Sequence, residues 1–256
     1  MSQYQRLLLI INPTLRHSSA MNHAAALAKT SGASLHIAAL TPSSRWLSLL
    51  EAGDRESGRE RYLQDHRGWL EAQAENLRGR GIEVTTEVAW AEDMKQDIIE
   101  HVTDMQPDVL IKEIQHESAL KRAFFTPLDW HLLRHCPVPV FLVGGSSFVL
   151  PRKVVAAVEV SDVESTDNEL NDRIIKQACS LAMQCNAELH LLYACDISAA
   201  LLADMGGPVT VSSEFANEHN VDVIVMGRVQ SHGVDKSCCV LAVWILSVPD
   251  LIQTVS

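Results

Sequence analysis

A chain of 256 residues is long enough for one large domain or two small ones, since globular domains cluster at about 100–150 residues. Its formal net charge of −11 argues against a nucleic-acid backbone as the main partner, because such binding depends largely on Lys and Arg. A hydrophobic fraction of 47% with 21% charged residues is typical of a soluble globular protein. No apolar run approaches the roughly 20 residues of a membrane span, so neither a nucleic acid nor a membrane is expected as a partner.

The N-terminus and the cysteines indicate a cytoplasmic protein. Residues 5–12, QRLLLIIN, form an apolar run of strand length that ends at Pro13. No small-residue cleavage site follows this run, so we expect a first strand and not a signal peptide. The six cysteines lack the paired spacing of a zinc site or a small disulfide framework, and we interpret them as reduced thiols.

Strand and helix patterns alternate along the rest of the first half. The predicted helices are 18–29, 54–80 and 93–105, and the predicted strands are 35–40, 83–90 and 108–114. Gly32 and Gly81 follow the first two helices, at positions typical of a helix end. Strands that alternate with helices predict a parallel sheet covered by helices on both faces.

The segment 124–143, FFTPLDWHLLRHCPVPVFLV, predicts a helix that leads directly into a short strand. Thr126 supplies a capping hydroxyl, and Pro127 suits the first helical turn, where no N–H is needed. The two later prolines cannot continue the helix. The apolar run 140–143 that follows them is therefore predicted to be a buried strand.

This segment resembles the F-T-P-x-D-W-H-L-L-R-x-C-P-x-P-V sequence that closes the first of two domains in tandem universal stress proteins of the E type. The match is gapless and includes Trp130, Cys136 and both prolines, Pro137 and Pro139. The resemblance implies an α/β fold with two Rossmann-like, adenine nucleotide alpha hydrolase-like halves. Each half would contain a parallel five-stranded sheet of order 3-2-1-4-5, and the two would form an internal pseudo-dimer.

The second half of the chain repeats the first in shortened form. Residues 33–37 (ASLHI) recur as 187–191 (AELHL), an offset of 154 residues. The strand that begins at Asp108 (DVLIKE) recurs at Asp222 (DVIVMG), an offset of only 114 residues. The difference of 40 residues corresponds to the long helix and the third strand of the first copy. We therefore expect the second sheet to lack its third strand.

This shortening predicts a first domain at 1–145 and a second, truncated domain at 151–256. Without its third strand, the second sheet leaves one side of strand 188–195 with unpaired N–H and C=O groups. Such an edge favours pairing with another chain, so a homo-oligomer is one expectation. Residues 196–209 offer the alternative, because they could cover the same edge.

Many members of this family bind ATP through a G-x-x-G-x(9)-G-[ST] loop after the fourth strand and a carboxylate at the end of the first strand. The glycines let the backbone approach the phosphates, which its N–H groups then hold. In the first copy, 112–127 contains no glycine and Asn12 stands at the carboxylate position, so no ATP is expected there. In the second copy, 226–233 resembles the start of the loop, but Gln230 replaces the middle glycine and the late Gly-Ser/Thr pair is absent.

The resemblance thus leaves Glu159, Gly227 and Gly233 as the cofactor-binding candidates, with no cofactor predicted and ATP the one candidate. No pairing of a nucleophile with a base is apparent, so no catalytic residue and no enzyme are predicted. The favoured function is a non-catalytic cytoplasmic stress-response protein that binds an unknown protein partner or small ligand through its paired α/β halves. The alternative is an ATP-binding switch or slow ATPase that uses the degenerate glycine loop of the second half.

Two further features, a pair of histidines and the C-terminal part of the repeat, have no clear functional assignment. Asp129, His131, His135 and Cys136 place two histidines at i and i+4 on a helix, a spacing that can hold zinc. No third ligand is evident, so a polar surface or interface is favoured and no metal site is predicted. By the offset of 114 residues Trp244 aligns with Trp130, but the capping residues are absent, which suggests either a decayed second domain or a tail that derives from a shifted reading frame.

Overall fold

The computed structural model describes residues 4–13, 18–42, 52–114, 127–144, 149–159, 167–194, 218–231 and 239–247. Two compact units divide the chain: one is Tyr4–Glu113, and the other comprises Met1–Gln3 and Ile114–Ser256. This division falls earlier than the predicted boundary between 145 and 151, because the segment that ends at residue 143 packs with the second unit. The predicted domain limits stay a prediction.

The first unit is a parallel α/β sheet. Its strands are β1 (Arg6–Ile11), β2 (Ser34–Pro42), β3 (Val84–Ala91) and β4 (Val109–Glu113), and its helices are α1 (Ser19–Ser31), α2 (Ala52–Gly79) and α3 (Met94–Met105). The strands pair in parallel in the order β3-β2-β1-β4. The α/β class and the strand order 3-2-1-4-5 predicted for the first half are confirmed, with the first four of these strands in this unit.

Local sequence accounts for these elements. β1 buries five consecutive apolar side chains, as a central parallel strand covered on both faces requires. α1 begins after Ser18, whose hydroxyl accepts the Met21 N–H at 3.3 Å. It ends at Gly32, where φ is 72° and the N–H donates to the Ala28 carbonyl. The predicted start and stop of this helix are therefore confirmed to within two residues.

The second unit contains the helices α4 (Pro127–His135) and α5 (Asp167–Cys185) and the strands β5 (Val140–Val143), β6 (Lys153–Glu159), β7 (Glu188–Ala194), β8 (Val223–Ser231) and β9 (Cys239–Ser247). The strand order is β5-β9-β8-β6-β7. The helix at Pro127 and the strand at 140–143 occur where the sequence predicted them. Among the described strands of this unit, all pairings are parallel except the one between β8 and β9.

β9 departs from the parallel arrangement expected of the family. Trp244, aligned by the repeat with Trp130 of α4, lies in a strand opposite Met226 of β8. The residues of this strand, CVLAVWILS, are almost all apolar, include β-branched and aromatic side chains, and carry no helix-capping signal. Only 232–238 separate it from β8, whereas a parallel return needs a dozen or more residues. The chain therefore returns antiparallel.

The outer strand of the second unit is more exposed than its counterpart in the first unit. Among the described strands, β7 pairs with β6 alone. Leu189 and Leu191 are 37% and 47% exposed, whereas their counterparts in β2, Leu35 and Ile37, are 1% and 0% exposed. Within the described residues, the second unit has no counterpart of α2 and β3, which accounts for the difference. Residues 196–209, which the sequence offered as a cover for this edge, lie outside the described residues.

No helix in the described ranges is both long and apolar enough to cross a membrane.

Candidate functional site

The candidate site of the first unit lies at the carboxyl ends of β1 and β4. The chain leaves β1 toward β2 on one side, while β4 lies on the other side, so the strand order reverses between them. Ligands of open α/β sheets bind in the crevice that such a reversal creates. α1 begins at this end of the sheet, and Asn12 and Glu113 stand at or just beyond the ends of the two strands.

The carboxylate of Glu113 occupies the N-terminus of α1. Its Oε1 accepts the backbone N–H of Ser19 at 3.2 Å and the Ser19 hydroxyl at 2.9 Å. The unpaired N–H groups and positive end of a helix dipole make such a terminus favourable for an anion. In this unit, a side chain of the protein supplies that anion.

Two buried basic side chains, His23 and Lys112, lie beside this contact. His23 is almost fully buried, and its Nδ1–H donates to the Ser19 carbonyl at 2.9 Å. Burial lowers the pKa of His23, and this effect outweighs the hydrogen bond to Ser19 and the charge of Glu113, which both raise the pKa. Lys112 is also buried, and its Nζ donates to the Glu113 backbone carbonyl at 2.9 Å. In the described part of this crevice, the side chains of Glu113, His23 and Lys112 therefore each have a partner inside the protein.

The sequence did not reveal the pairing of Ser19 with Glu113. Ser19 was interpreted only as part of a helix start, and Glu113 only as a strand residue. A usable signal was present, because the end of strand four and the start of the helix after strand one meet wherever the order is 2-1-4. The remainder of the glycine-free segment, 115–126, lies outside the described residues.

The second unit places two of its three predicted cofactor residues on adjacent strands. Glu159 is the last residue of β6, and Gly227 lies in the neighbouring parallel strand β8. The side chain of Glu159 and all of Gly233 lie outside the described part of the chain. Gly227 faces Val243 in the antiparallel ladder with β9. The backbone at 226–231, interpreted from sequence as the start of a phosphate loop, is thus part of a strand.

The histidine pair of α4 does not assemble a metal site in the described residues. The rings of His131 and His135 lie 4.5 Å apart between centroids, and Asp129 and Cys136 are buried. Burial raises the pKa of the Cys136 thiol to about 12, which disfavours the thiolate that a metal needs. Three potential ligand atoms converge elsewhere, in the first unit, as described below for His36, Glu87 and His101.

The chain is similar to proteins of one family. A model described as the universal stress protein family matches residues 3–144. Universal stress protein E of Escherichia coli K12 is 29% identical over 208 residues, and that of Photorhabdus laumondii is 32% identical over 209 residues. Both alignments cover 79% of this chain, which spans 65% and 66% of the length of these two relatives.

Solved structures show the same fold. A protein of unknown function from Pseudomonas aeruginosa PAO1 superposes with a TM-score of 0.71 at 21% identity, over 98% of this chain and 95% of that one. A universal stress protein from Archaeoglobus fulgidus superposes with a TM-score of 0.65 at 14% identity, over 96% of each chain. Identities this low establish similarity of fold alone.

Proposed function

We propose that this chain, which belongs to the universal stress protein family, is a non-catalytic stress-response protein that binds a protein partner or a small ligand. The contact between Glu113 and Ser19 carries this proposal. A nucleotide phosphate at the first unit's helix terminus would have to displace a carboxylate that is already bound. A carboxylate left nearby would also repel the phosphate, since like charges at close range disfavour each other.

The cytoplasm is the compartment proposed. Within the described residues, Cys136, Cys179 and Cys185 are free thiols. Unpaired cysteines are the usual state in a reducing compartment, whereas disulfides are typical of oxidising ones. This observation supports the proposal and agrees with the scattered spacing of the cysteines in the sequence.

One observation favours the alternative of an ATP-binding switch or slow ATPase in the second unit. Glu159 lies at the carboxyl end of β6, the position at which open α/β sheets bind ligands, and Gly227 lies on the adjacent parallel strand β8. Against it stands the ladder with β9, which places the backbone of 226–231 in a strand instead of a loop before a helix. We therefore rank the switch second.

Thermal unfolding of the full chain with and without millimolar Mg-ATP separates the two functions. A ligand present at 100 times its dissociation constant stabilises the native state by about 2.7 kcal/mol, which a melting curve detects readily. We expect no shift. The Gly227→Asp variant removes the candidate close approach, and Gly68→Asp is the matched control, because Gly68 lies on α2 with open space around it. A shift present in the wild type and the control but absent from Gly227→Asp would overturn the proposal in favour of the switch.

A further inference from the structure

Three side chains from separate elements converge on one face of the first unit. His36 lies on β2, Glu87 on β3 and His101 on α3, and one potential ligand atom from each lies within 4.8 Å of the other two. His101 Nε2 is 3.2 Å from Glu87 Oε2, and His36 Nε2 is 3.8 Å from the same oxygen. The parallel register produces this arrangement. His36 lies opposite Thr85, and Glu87 follows two residues later on the same face of β3.

The ring of His36 is oriented by a partner on its other nitrogen. Nδ1 lies 2.8 Å from Thr85 Oγ1, and donation of the Nδ1–H to this hydroxyl leaves the lone pair on Nε2. Metal-ligating histidines almost always donate their second ring N–H to an oxygen in this manner. His36 Nε2 is itself shielded from solvent and has no hydrogen-bond partner among the residues that the structure describes. A buried nitrogen in that state is costly, and a cation bound to it removes the cost.

The burial of His36 and the solvent exposure of Glu87 also suit metal binding. Burial lowers the pKa of His36, the charge of His101 lowers it further, and Glu87 acts in the opposite direction. Neutral imidazole is the form that binds metal, and burial acts in that direction. The side chains of His36 and His101 are 15% and 20% exposed, whereas that of Glu87 is 44% exposed. Solvent can thus reach the cluster from the carboxylate side and supply a further ligand.

We propose that His36, Glu87 and His101 form a binding site for a divalent transition-metal ion, with zinc the ion best suited to the ligand set. Two imidazole nitrogens and one carboxylate oxygen with a position open to water are a common zinc arrangement. Mg²⁺ and Ca²⁺ prefer sites built from oxygen ligands alone. Tetrahedral zinc with ligands at 2.0–2.2 Å places those ligands about 3.4 Å apart, close to the two separations of 3.2 and 3.8 Å from Glu87 Oε2. This site is independent of the proposed function and lies outside the nucleotide crevice.

Calorimetric titration of the EDTA-treated full chain with zinc chloride tests the site. We expect saturable binding of one zinc per chain, and no saturable heat with magnesium or calcium chloride. Glu87→Gln and His101→Gln each remove a ligand, and a loss of affinity of more than about 100-fold is expected for either. Thr85→Val removes the orienting acceptor of His36 and should cost about 10- to 100-fold, the usual effect of changing such a partner.

The matched control is a histidine and glutamate pair of similar geometry without a third ligand in the described residues. His190 Nε2 lies 3.4 Å from Glu188 Oε2 on β7, with both side chains exposed. His190→Gln should leave zinc affinity unchanged, and so should His131→Gln on α4. Equal losses in these controls, or unchanged affinity in Glu87→Gln, would overturn the proposal.

The zinc K-edge absorption spectrum of the wild-type complex decides the question even where a variant folds poorly. The chain contains six cysteines, which are the strongest competing zinc ligands. The proposed site predicts a first coordination shell of nitrogen and oxygen only. Sulfur in that shell, or the absence of a stoichiometric complex, would place zinc elsewhere or nowhere and refute the site.

Discussion

The carboxylate of Asp222 accepts the backbone N–H of Lys153 at 3.0 Å, at the entry to β6. In the first unit, Asp108 accepts the N–H of Arg6 at 2.9 Å, at the entry to β1. In each case the same oxygen also accepts the N–H of the preceding residue, at 2.7 and 2.6 Å respectively. The backbone N–H of each aspartate in turn donates to the carbonyl of the strand residue it binds. The internal repeat therefore extends to equivalent hydrogen bonds between equivalent residues.

Replacement of either aspartate by alanine should destabilise the native state by about 1–2 kcal/mol, because two backbone N–H groups lose a charged acceptor in each variant. Asparagine should cost less, since its carbonyl oxygen can still accept. Urea unfolding followed by circular dichroism measures the change. Asp65→Ala, on the exposed face of α2, is the control. A loss in the control equal to that of Asp222→Ala would mean that the effect is one of net charge.

Because one face of β7 is exposed, we expect alanine substitutions at equivalent positions of the two halves to lower the free energy of unfolding by unequal amounts. Ile37→Ala removes a fully buried side chain and should cost about 2–5 kcal/mol. Leu191→Ala changes a residue that is 47% exposed and should cost less than about 1 kcal/mol. Denaturant unfolding of the two variants tests the difference. Equal losses would show that Leu191 is covered in solution.

The lowered pKa of His23 predicts that the free energy of unfolding falls in mild acid. Because burial lowers its pKa in the folded state, the unfolded chain binds a proton more readily, so unfolding takes up protons below about pH 6.5. The stabilising contribution is complete above that pH and is lost as the pH falls. His23→Gln should flatten the decline of unfolding free energy between about pH 7 and pH 5 without abolishing it, because the pKa of His36 is lowered as well.

The control for this effect is His190→Gln, which removes an exposed imidazole. Denaturant titrations at a series of pH values provide the measurement. A pH dependence in His23→Gln identical to that of the wild type would contradict the assignment to this residue.

The buried Cys136 and the partly buried Cys185 are predicted to resist alkylation. Burial raises the pKa of both Cys136 and Cys185 to about 12, so almost no thiolate forms at neutral pH in the native protein. Iodoacetamide at pH 7.5 should leave both unmodified under native conditions and modify both in urea, as peptide mass spectrometry can determine. Rapid modification of Cys136 in the native protein would show that α4 opens readily.

The sequence by itself determined the elements and their caps, because these depend on residues close together in the chain. The alternation of strands with helices predicted a parallel α/β sheet, and Ser18 and Gly32 mark the limits of α1. The two offsets, 154 and 114 residues, predicted the loss of a helix and a strand that leaves Leu191 exposed. The segment at Pro127 likewise indicated both a helix and the family to which the chain belongs.

Only the tertiary structure decided how distant residues meet. β9 runs antiparallel because a short connection cannot cross the sheet, a constraint that an alignment to the first half concealed. Glu113 reaches Ser19 only because the strand order reverses between β1 and β4. The sequence spacing of His36, Glu87 and His101 does not predict a site, since these residues come from two strands and a helix. Their convergence depends on strand register and helix docking, which are set by packing and not by local sequence.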